Sequence, residues 1–236
     1  MKTVKAASGE RRAHRKAKDR RRDRLVIQAI GGRLDPELVE RIRTAALAVD
    51  PGAPWQELAP KILPVLKRVW HPYPPEIAPL EIEVPPGIQT GFGIDFGPAF
   101  SHVSRDLVER WGIDELTLLA TALDNLRRVV ASEPPRIERF RHQGWDVVAI
   151  CGHGWGSSLL LLPDALLPIL GDKPLALLAP VRNHLLAVST DVTIDAVADL
   201  WGALADGAND ELDVPPLFWD GASVVRHLGG PVGLLH

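Results

Sequence analysis

The sequence has little cysteine and no long apolar run. A single cysteine, Cys151, excludes a disulfide framework and a cysteine-rich zinc module. The longest apolar run, residues 159–170, is interrupted by Pro163 and Asp164, whereas a membrane span needs about 20 apolar residues. The basic N-terminus also lacks the apolar core of a signal peptide. We therefore expect a soluble, cytoplasmic protein with no membrane partner.

Two common catalytic motifs are also missing. The sequence contains no Gly-x-Ser-x-Gly elbow, which would present a nucleophilic serine. It also contains no Gly-x-x-x-x-Gly-Lys-Ser/Thr loop, which would cradle nucleotide phosphates. Hydrophobic residues make up 46 % of the chain and charged residues 24 %, close to the globular average. The sequence thus predicts a folded body and indicates no cofactor.

The charges are segregated along the chain. Residues 1–24 hold 11 of the 27 Lys and Arg but only 3 of the 30 acids, for a net charge of +8. The remaining 16 basic and 27 acidic residues give −11. With almost no apolar side chains to bury, residues 1–24 are predicted to be a disordered, mobile tail. The cations proposed to bind nucleic acid or an acidic partner are Arg11, Arg12, Arg15, Lys16, Lys18, Arg20, Arg21, Arg22 and Arg24.

The rest of the chain is predicted to be α+β. We divide it into a helical segment at 25–75 and an α+β domain at 76–236, in which a mixed or antiparallel sheet packs with helices. A Pro-rich connector at 71–75 marks the boundary. In the helical segment, Asp35-Pro36 is typical of a helix start. A second helix is predicted over 54–69, kinked at its prolines.

Within 76–236 the hydrophobic spacing predicts individual elements. Residues alternate apolar and polar over 80–84, and two strands at 91–96 and 99–103 flank a hairpin connection. A helix is predicted over 114–130, with Leu116, Leu119, Leu123, Leu126 and Val130 on its buried face. The later part of the domain predicts strands at 145–150, 175–178 and 184–188 and a helix at 193–204.

Several stretches between residues 62 and 200 resemble the YtpQ-like family of uncharacterised bacterial proteins. They include Phe100-Ser-His-Val103, Trp111-Gly-Ile-Asp-Glu-Leu116 and Ser157-Ser-Leu-Leu-Leu-Leu162. Residues 179–186 are similar to the family's Pro-x-Arg-Asp-x-Leu-Leu signature, with Asn183 in place of the acid. The resemblance implies a shared α+β fold and implies no reaction, because the family has no established one.

The Gly-rich stretch from Cys151 to Ser158 carries the main catalytic candidates. In one interpretation, its backbone N–H groups donate hydrogen bonds to a bound anion or to the oxyanion of a reaction intermediate. Cys151 and His153 lie two residues apart, a spacing that suits two ligands of one metal or a nucleophile and its base. His142, Asp146 and His184 are scattered candidates for further metal ligands. We favour a different interpretation, in which the stretch is a tight connector beside a structural cysteine and the chain has no catalytic, cofactor-binding or metal-binding residue.

Three functions follow from these features. The leading hypothesis is a non-enzymatic binding or adaptor module with a protein partner not identified by the sequence. The second is a nucleic-acid or ribosome binder that uses residues 1–24 without sequence preference, since those residues contain no aromatic side chain to stack on bases. The third is a hydrolase that uses Cys151 and His153.

Overall fold

A computed structural model describes residues 53–67, 78–96, 100–152, 154–205, 208, 211–212 and 214–226. The chain divides into two units. One unit, Ala53–Asp95 with Ser101–His236, holds nearly all of the described residues. The second unit comprises Met1–Gly52 and Phe96–Phe100. Only two of its residues, Phe96 and Phe100, are described. The predicted tail at 1–24 and the helix start at Asp35-Pro36 lie outside the described residues.

The described chain combines helices with runs of antiparallel strands, which confirms the α+β class. The helices are α1 (Trp55–Leu58), α2 (Arg105–Trp111), α3 (Glu115–Ser132), α4 (Pro163–Leu170) and α5 (Ile194–Ala205), with 3-10 turns at Ala59–Lys61 and Gly156–Leu161. The strands are β1 (Ile62–Leu66), β2 (Glu81–Glu83), β3 (Gln89–Asp95), β4 (Phe100–His102), β5 (Arg136–His142), β6 (Trp145–Cys151), β7 (Leu175–Val181), β8 (His184–Ser189), β9 (Leu217–Trp219) and β10 (Val224–Arg226).

The strands form two sheets. In the smaller sheet β3 lies between β1 and β2 in antiparallel pairing, and β4 also pairs with β3. The larger sheet has the order β10-β9-β7-β8-β6-β5, and every neighbouring pair in it is antiparallel. The predicted strands over 91–96, 145–150, 175–178 and 184–188 are therefore confirmed.

One face of the larger sheet is covered by α5. Val147, Ala149 and Leu186 from the sheet pack with Val197 and Leu200 from the helix. These sheet residues share a face because side chains alternate along a strand. α5 confirms the helix predicted over 193–204, and its Val197 and Leu200 are buried, whereas Ile194 is exposed.

The helix predicted over 54–69 is wrong beyond its first turns. It ends at Leu58, a 3-10 turn follows, and Ile62–Leu66 is a buried strand. Pro64 explains the change, because proline inside a helix lacks the N–H donor and clashes with the preceding turn. β1 pairs with β3 alone among the described strands, and an end strand tolerates proline. The compact unit therefore begins at Ala53, inside the segment assigned to 25–75.

The helix predicted over 114–130 exists as α3, but its buried face differs from the prediction. Leu118, Ala122, Asn125 and Leu126 are buried, whereas Leu116 is 75 % exposed. Leucine occurs on several sides of this helix, so the leucine spacing alone does not identify the side that packs. The buried side is the one that contacts β1, where Asn125 donates to backbone carbonyls.

No helix in the described part of the chain combines the length and the apolar character that crossing a membrane requires.

Candidate functional site

The loop after β6 is held against the turn between β7 and β8. Gly152 N–H donates to Asn183 O at 3.0 Å, and Gly154 N–H donates to Asn183 Oδ1 at 2.7 Å. Ser157 donates to Arg182 O from both its N–H, at 3.0 Å, and its hydroxyl, at 2.9 Å. Asn183, where the YtpQ-like signature has an acid, thus serves as an acceptor for the loop.

This packing removes the N–H groups that an anion site needs. Besides the bonds to the turn, Trp155 and Gly156 donate to Gly152 O, and Ser158 donates to Trp155 O. Every described N–H from Gly152 to Ser158 is therefore bonded within the protein. Gly156 is needed for the close approach, since a Cβ there would lie 2.2 Å from Asn183 O. The contacts favour the interpretation of this stretch as a tight connector.

Cys151 has a histidine neighbour that its sequence spacing does not identify. Cys151 and His184 are direct partners across β6 and β8, so their side chains share a face of the sheet. The His184 Nδ1 atom is buried without a hydrogen-bond partner. His153 lies outside the described residues, and the described residues contain no group of three His, Cys, Asp or Glu that could hold a metal. The pairing between strands, which the sequence does not specify, brings Cys151 and His184 together.

The other polar candidates serve local contacts. His142 Nε2 lies 3.0 Å from Asp199 Oδ2, which also accepts a bond from Gln143 at 2.9 Å. Asp146 lies 3.3 Å from Arg141 on the exposed surface of the β5–β6 hairpin. These groups therefore do not converge with Cys151. The nine proposed binding cations between Arg11 and Arg24 lie outside the described residues.

β5, a strand at the end of the larger sheet, is not predicted by the hydrophobic spacing of the sequence. Its seven residues include four charged side chains but only two apolar ones, Ile137 and Phe140, and six of the seven residues are exposed. A strand at a sheet edge is distinguished from a loop by its pairing, and β5 pairs with β6 over its full length. The signal available in the sequence was the hairpin turn Gln143-Gly144, where both residues have a positive φ, of 48° and 89°.

The turn fixes which backbone groups of β5 point outwards. In a two-residue hairpin the closing pair, here His142 and Trp145, is hydrogen-bonded, and bonded pairs then alternate along the strand. The N–H and C=O groups of Ile137, Arg139 and Arg141 therefore point away from β6. The hydrogen bond from Gly152 N–H to Asn183 O agrees with this alternation. It shows that even-numbered residues at this end of β6 bond towards β8, which leaves the odd-numbered residues to bond towards β5.

The edge formed by β1 shows the contrasting arrangement. Asn125 donates to Ala59 O at 2.6 Å and to Ile62 O at 2.7 Å, and the Ser158 hydroxyl donates to Pro64 O at 2.8 Å. Both donor side chains are buried. This molecule thus covers one end strand with specific side-chain donors, whereas β5 remains exposed to solvent.

Comparison with protein-family models, with curated proteins and with solved structures found no match to this chain. The resemblance to the YtpQ-like family therefore stays a prediction.

Proposed function

We propose that the protein is a non-catalytic binding module that takes up an extended segment of a partner protein along β5. The observation that carries this proposal is the exposed outer edge of a full-length strand. Ile137, Arg139 and Arg141 each offer one N–H donor and one C=O acceptor in the geometry of a sheet. Among the described strands β5 pairs with β6 alone, and a sheet edge of this kind is a template for one more strand.

The side chains of β5 add contact area to the backbone groups. Ile137 is 37 % exposed and Phe140 is 40 % exposed, on opposite faces of the strand. An added strand would cover part of both side chains, since directly opposite residues in a sheet lie side by side. Each backbone bond contributes about 0.5–1.5 kcal/mol net. Strand addition at this edge therefore suits a modest, reversible interaction.

Substitution by proline tests the proposal. Ile137→Pro removes an outward N–H without breaking a bond to β6, and edge strands tolerate proline at such positions. Peptides selected from a random display library against the full chain should bind Ile137→Pro about 2- to 12-fold more weakly, the equivalent of one backbone bond. Ile137→Ala is the matched control, because it shortens the side chain and keeps the N–H.

Hydrogen exchange provides the second measurement. A bound peptide should slow amide exchange at Ile137, Arg139 and Arg141. Circular dichroism and the melting temperature must show that Ile137→Pro remains folded. Selected peptides that bind folded Ile137→Pro as tightly as the wild type would contradict the proposal, as would protection confined to another surface.

Nucleic-acid binding through residues 1–24 is a second proposed function. It is supported by the net charge of +8 on this segment, beside a remainder of −11. Such a segment attracts phosphates without reading sequence. Both proposed functions fit a cytoplasmic adaptor of the YtpQ-like kind. The hydrolase hypothesis has less support, because the described N–H groups beside Cys151 are already bonded within the protein.

A further inference from the structure

The exposed edge of β5 carries an excess of positive charge. The strand contains Arg136, Arg139 and Arg141 against a single acid, Glu138. Arg136 lies 2.9 Å from Glu138, and Arg141 lies 3.3 Å from the neighbouring Asp146. These contacts place a carboxylate beside each of the two outer arginines.

Arg139, at the centre of the strand, is in a different environment. Its guanidinium donates to Ile169 O at 3.0 Å, in the last turn of α4. No carboxylate of the described chain lies within ion-pair distance of it. A guanidinium has five N–H donors, so most of the donors of Arg139 remain for another acceptor. The uncompensated charge of the edge is therefore centred on Arg139.

Side-chain alternation places this charge on one face. Ile137, Arg139 and Arg141 point to the same side of the sheet, and they are also the residues whose backbone groups point outwards. A strand paired here would present every second side chain opposite them. An acidic side chain opposite Arg139 and an apolar side chain opposite Ile137 would complement this row, whereas Arg141 already has Asp146 as its partner.

A second copy of the chain is a poorer match for the same edge. When two β5 strands pair antiparallel about a twofold axis with all seven residues overlapping, Arg139 lies opposite Arg139. Like charges that lie directly opposite each other destabilise a sheet. The charge that disfavours this self-pairing favours an acidic partner.

We propose that β5 binds an extended segment with an acidic side chain opposite Arg139, followed two residues later by an apolar side chain opposite Ile137. This inference rests on the proposed function, because it names the chemistry of the partner that the edge selects. Backbone pairing supplies the binding geometry, and the guanidinium of Arg139 supplies the selectivity. The preference for acids weakens as salt screens these exposed charges.

The test uses the full chain and three blocked seven-residue peptides. The first is Thr-Thr-Val-Glu-Thr-Val-Thr, in which Glu lies opposite Arg139 in antiparallel pairing, and the other two replace this Glu by Gln or by Lys. Fluorescence anisotropy should show the Glu peptide binding about 2- to 5-fold tighter than the Gln peptide, and the Lys peptide binding weakest. High salt should bring the three affinities together.

Variants assign the preference to Arg139. Arg139→Gln should weaken the Glu peptide about 2- to 5-fold and leave the Gln peptide unchanged. Arg139→Lys should restore most of the preference. Arg105→Gln is the matched control, because it removes an exposed charge from α2 and should change neither affinity. Melting temperatures confirm that each variant is folded.

The outcomes separate this inference from the proposed function. Equal binding of all three peptides, weakened by Ile137→Pro, would overturn the acidic preference and leave strand addition standing. No binding by any peptide would overturn both. Sedimentation showing a dimer that Ile137→Pro dissociates would mean that a second copy occupies the edge, and it would overturn the acidic partner.

Discussion

Single polar side chains complete the backbone hydrogen bonding of this protein at several places. Asn125 is 2 % exposed, and its amide donates to two carbonyls around the start of β1. Its Oδ1 in turn accepts from Arg128. A buried polar group that finds such partners avoids a desolvation cost of about 1–3 kcal/mol. Asn125 therefore occupies the buried face of α3 because it joins the helix to the sheet.

Asp114 closes the start of α3 and makes stability depend on pH. Its carboxylate accepts the Thr117 N–H at 2.7 Å, and the backbone and hydroxyl of Thr117 hold its pKa below the ordinary value of 3.8. Because the pKa of Asp114 is lower in the folded state than in the unfolded state, its ionised carboxylate stabilises the fold at pH values above the unfolded pKa. This stabilisation is lost as the pH falls through the folded pKa.

Asp114→Asn tests this dependence. Asparagine remains a good cap but does not titrate. The melting temperature of the wild type should fall more steeply than that of Asp114→Asn as the pH drops from about 5 to about 2. Thermal melts across this range give the comparison, and an NMR titration of the Asp114 carboxyl checks the direction of its pKa shift. Parallel curves for the two proteins would refute the role assigned to Asp114.

At the scale of elements, the packing of α3 against β1 determines which leucines matter. Leu126 is fully buried and Leu116 is 75 % exposed, although both belong to the row that the sequence predicts as buried. Leu123, in the same row, is only partly buried. The free-energy cost of truncating each leucine should therefore differ along this row.

Leu126→Ala should lower the free energy of unfolding by about 2–5 kcal/mol, because it leaves a cavity in the core. Leu116→Ala is the matched control on the same helix, and it should change stability by less than about 0.5 kcal/mol. Leu123→Ala should fall between the two. Urea denaturation of the three variants measures the series. Equal costs for Leu116→Ala and Leu126→Ala would mean that the buried face of α3 is assigned wrongly.

At the scale of the whole molecule, the separation of charge predicts how nucleic acid binding should respond to salt. Residues 1–24 contain 11 cations. If about half of them contact phosphates at once, a plot of log binding constant against log salt concentration has a slope of roughly −4 to −6 on duplex DNA. Binding should show no sequence preference, because phosphate contacts carry no base information. Filter binding with two unrelated duplexes over a salt series measures both properties.

Replacing Arg20, Arg21, Arg22 and Arg24 by Ala should flatten that slope by a few units, at about 0.9 per phosphate contact. The matched control removes four exposed arginines of the folded part, and it should leave the slope unchanged. These are Arg105, Arg110, Arg127 and Arg136. An affinity that does not change with salt would exclude nucleic acid as the partner of residues 1–24.

The sequence by itself determined the elements whose signals are local. The helix α3, the strands β7 and β8 and the helix α5 are all predicted from the spacing of apolar residues. The Gly-rich stretch after β6 was also identified, as was its interpretation as a connector. These features depend on a few neighbouring residues, so a single sequence contains the information that specifies them.

The tertiary structure decided what depends on distant partners. Ile62–Leu66 is a strand because it forms antiparallel backbone pairs with β3. The buried side of α3 is the side that contacts β1. Cys151 gains His184 as a neighbour through strand register. β5, mostly charged in sequence, is a strand because β6 pairs with it, and it is exposed because the sheet ends there. Register and burial are set by contacts between distant segments, which local periodicity does not encode.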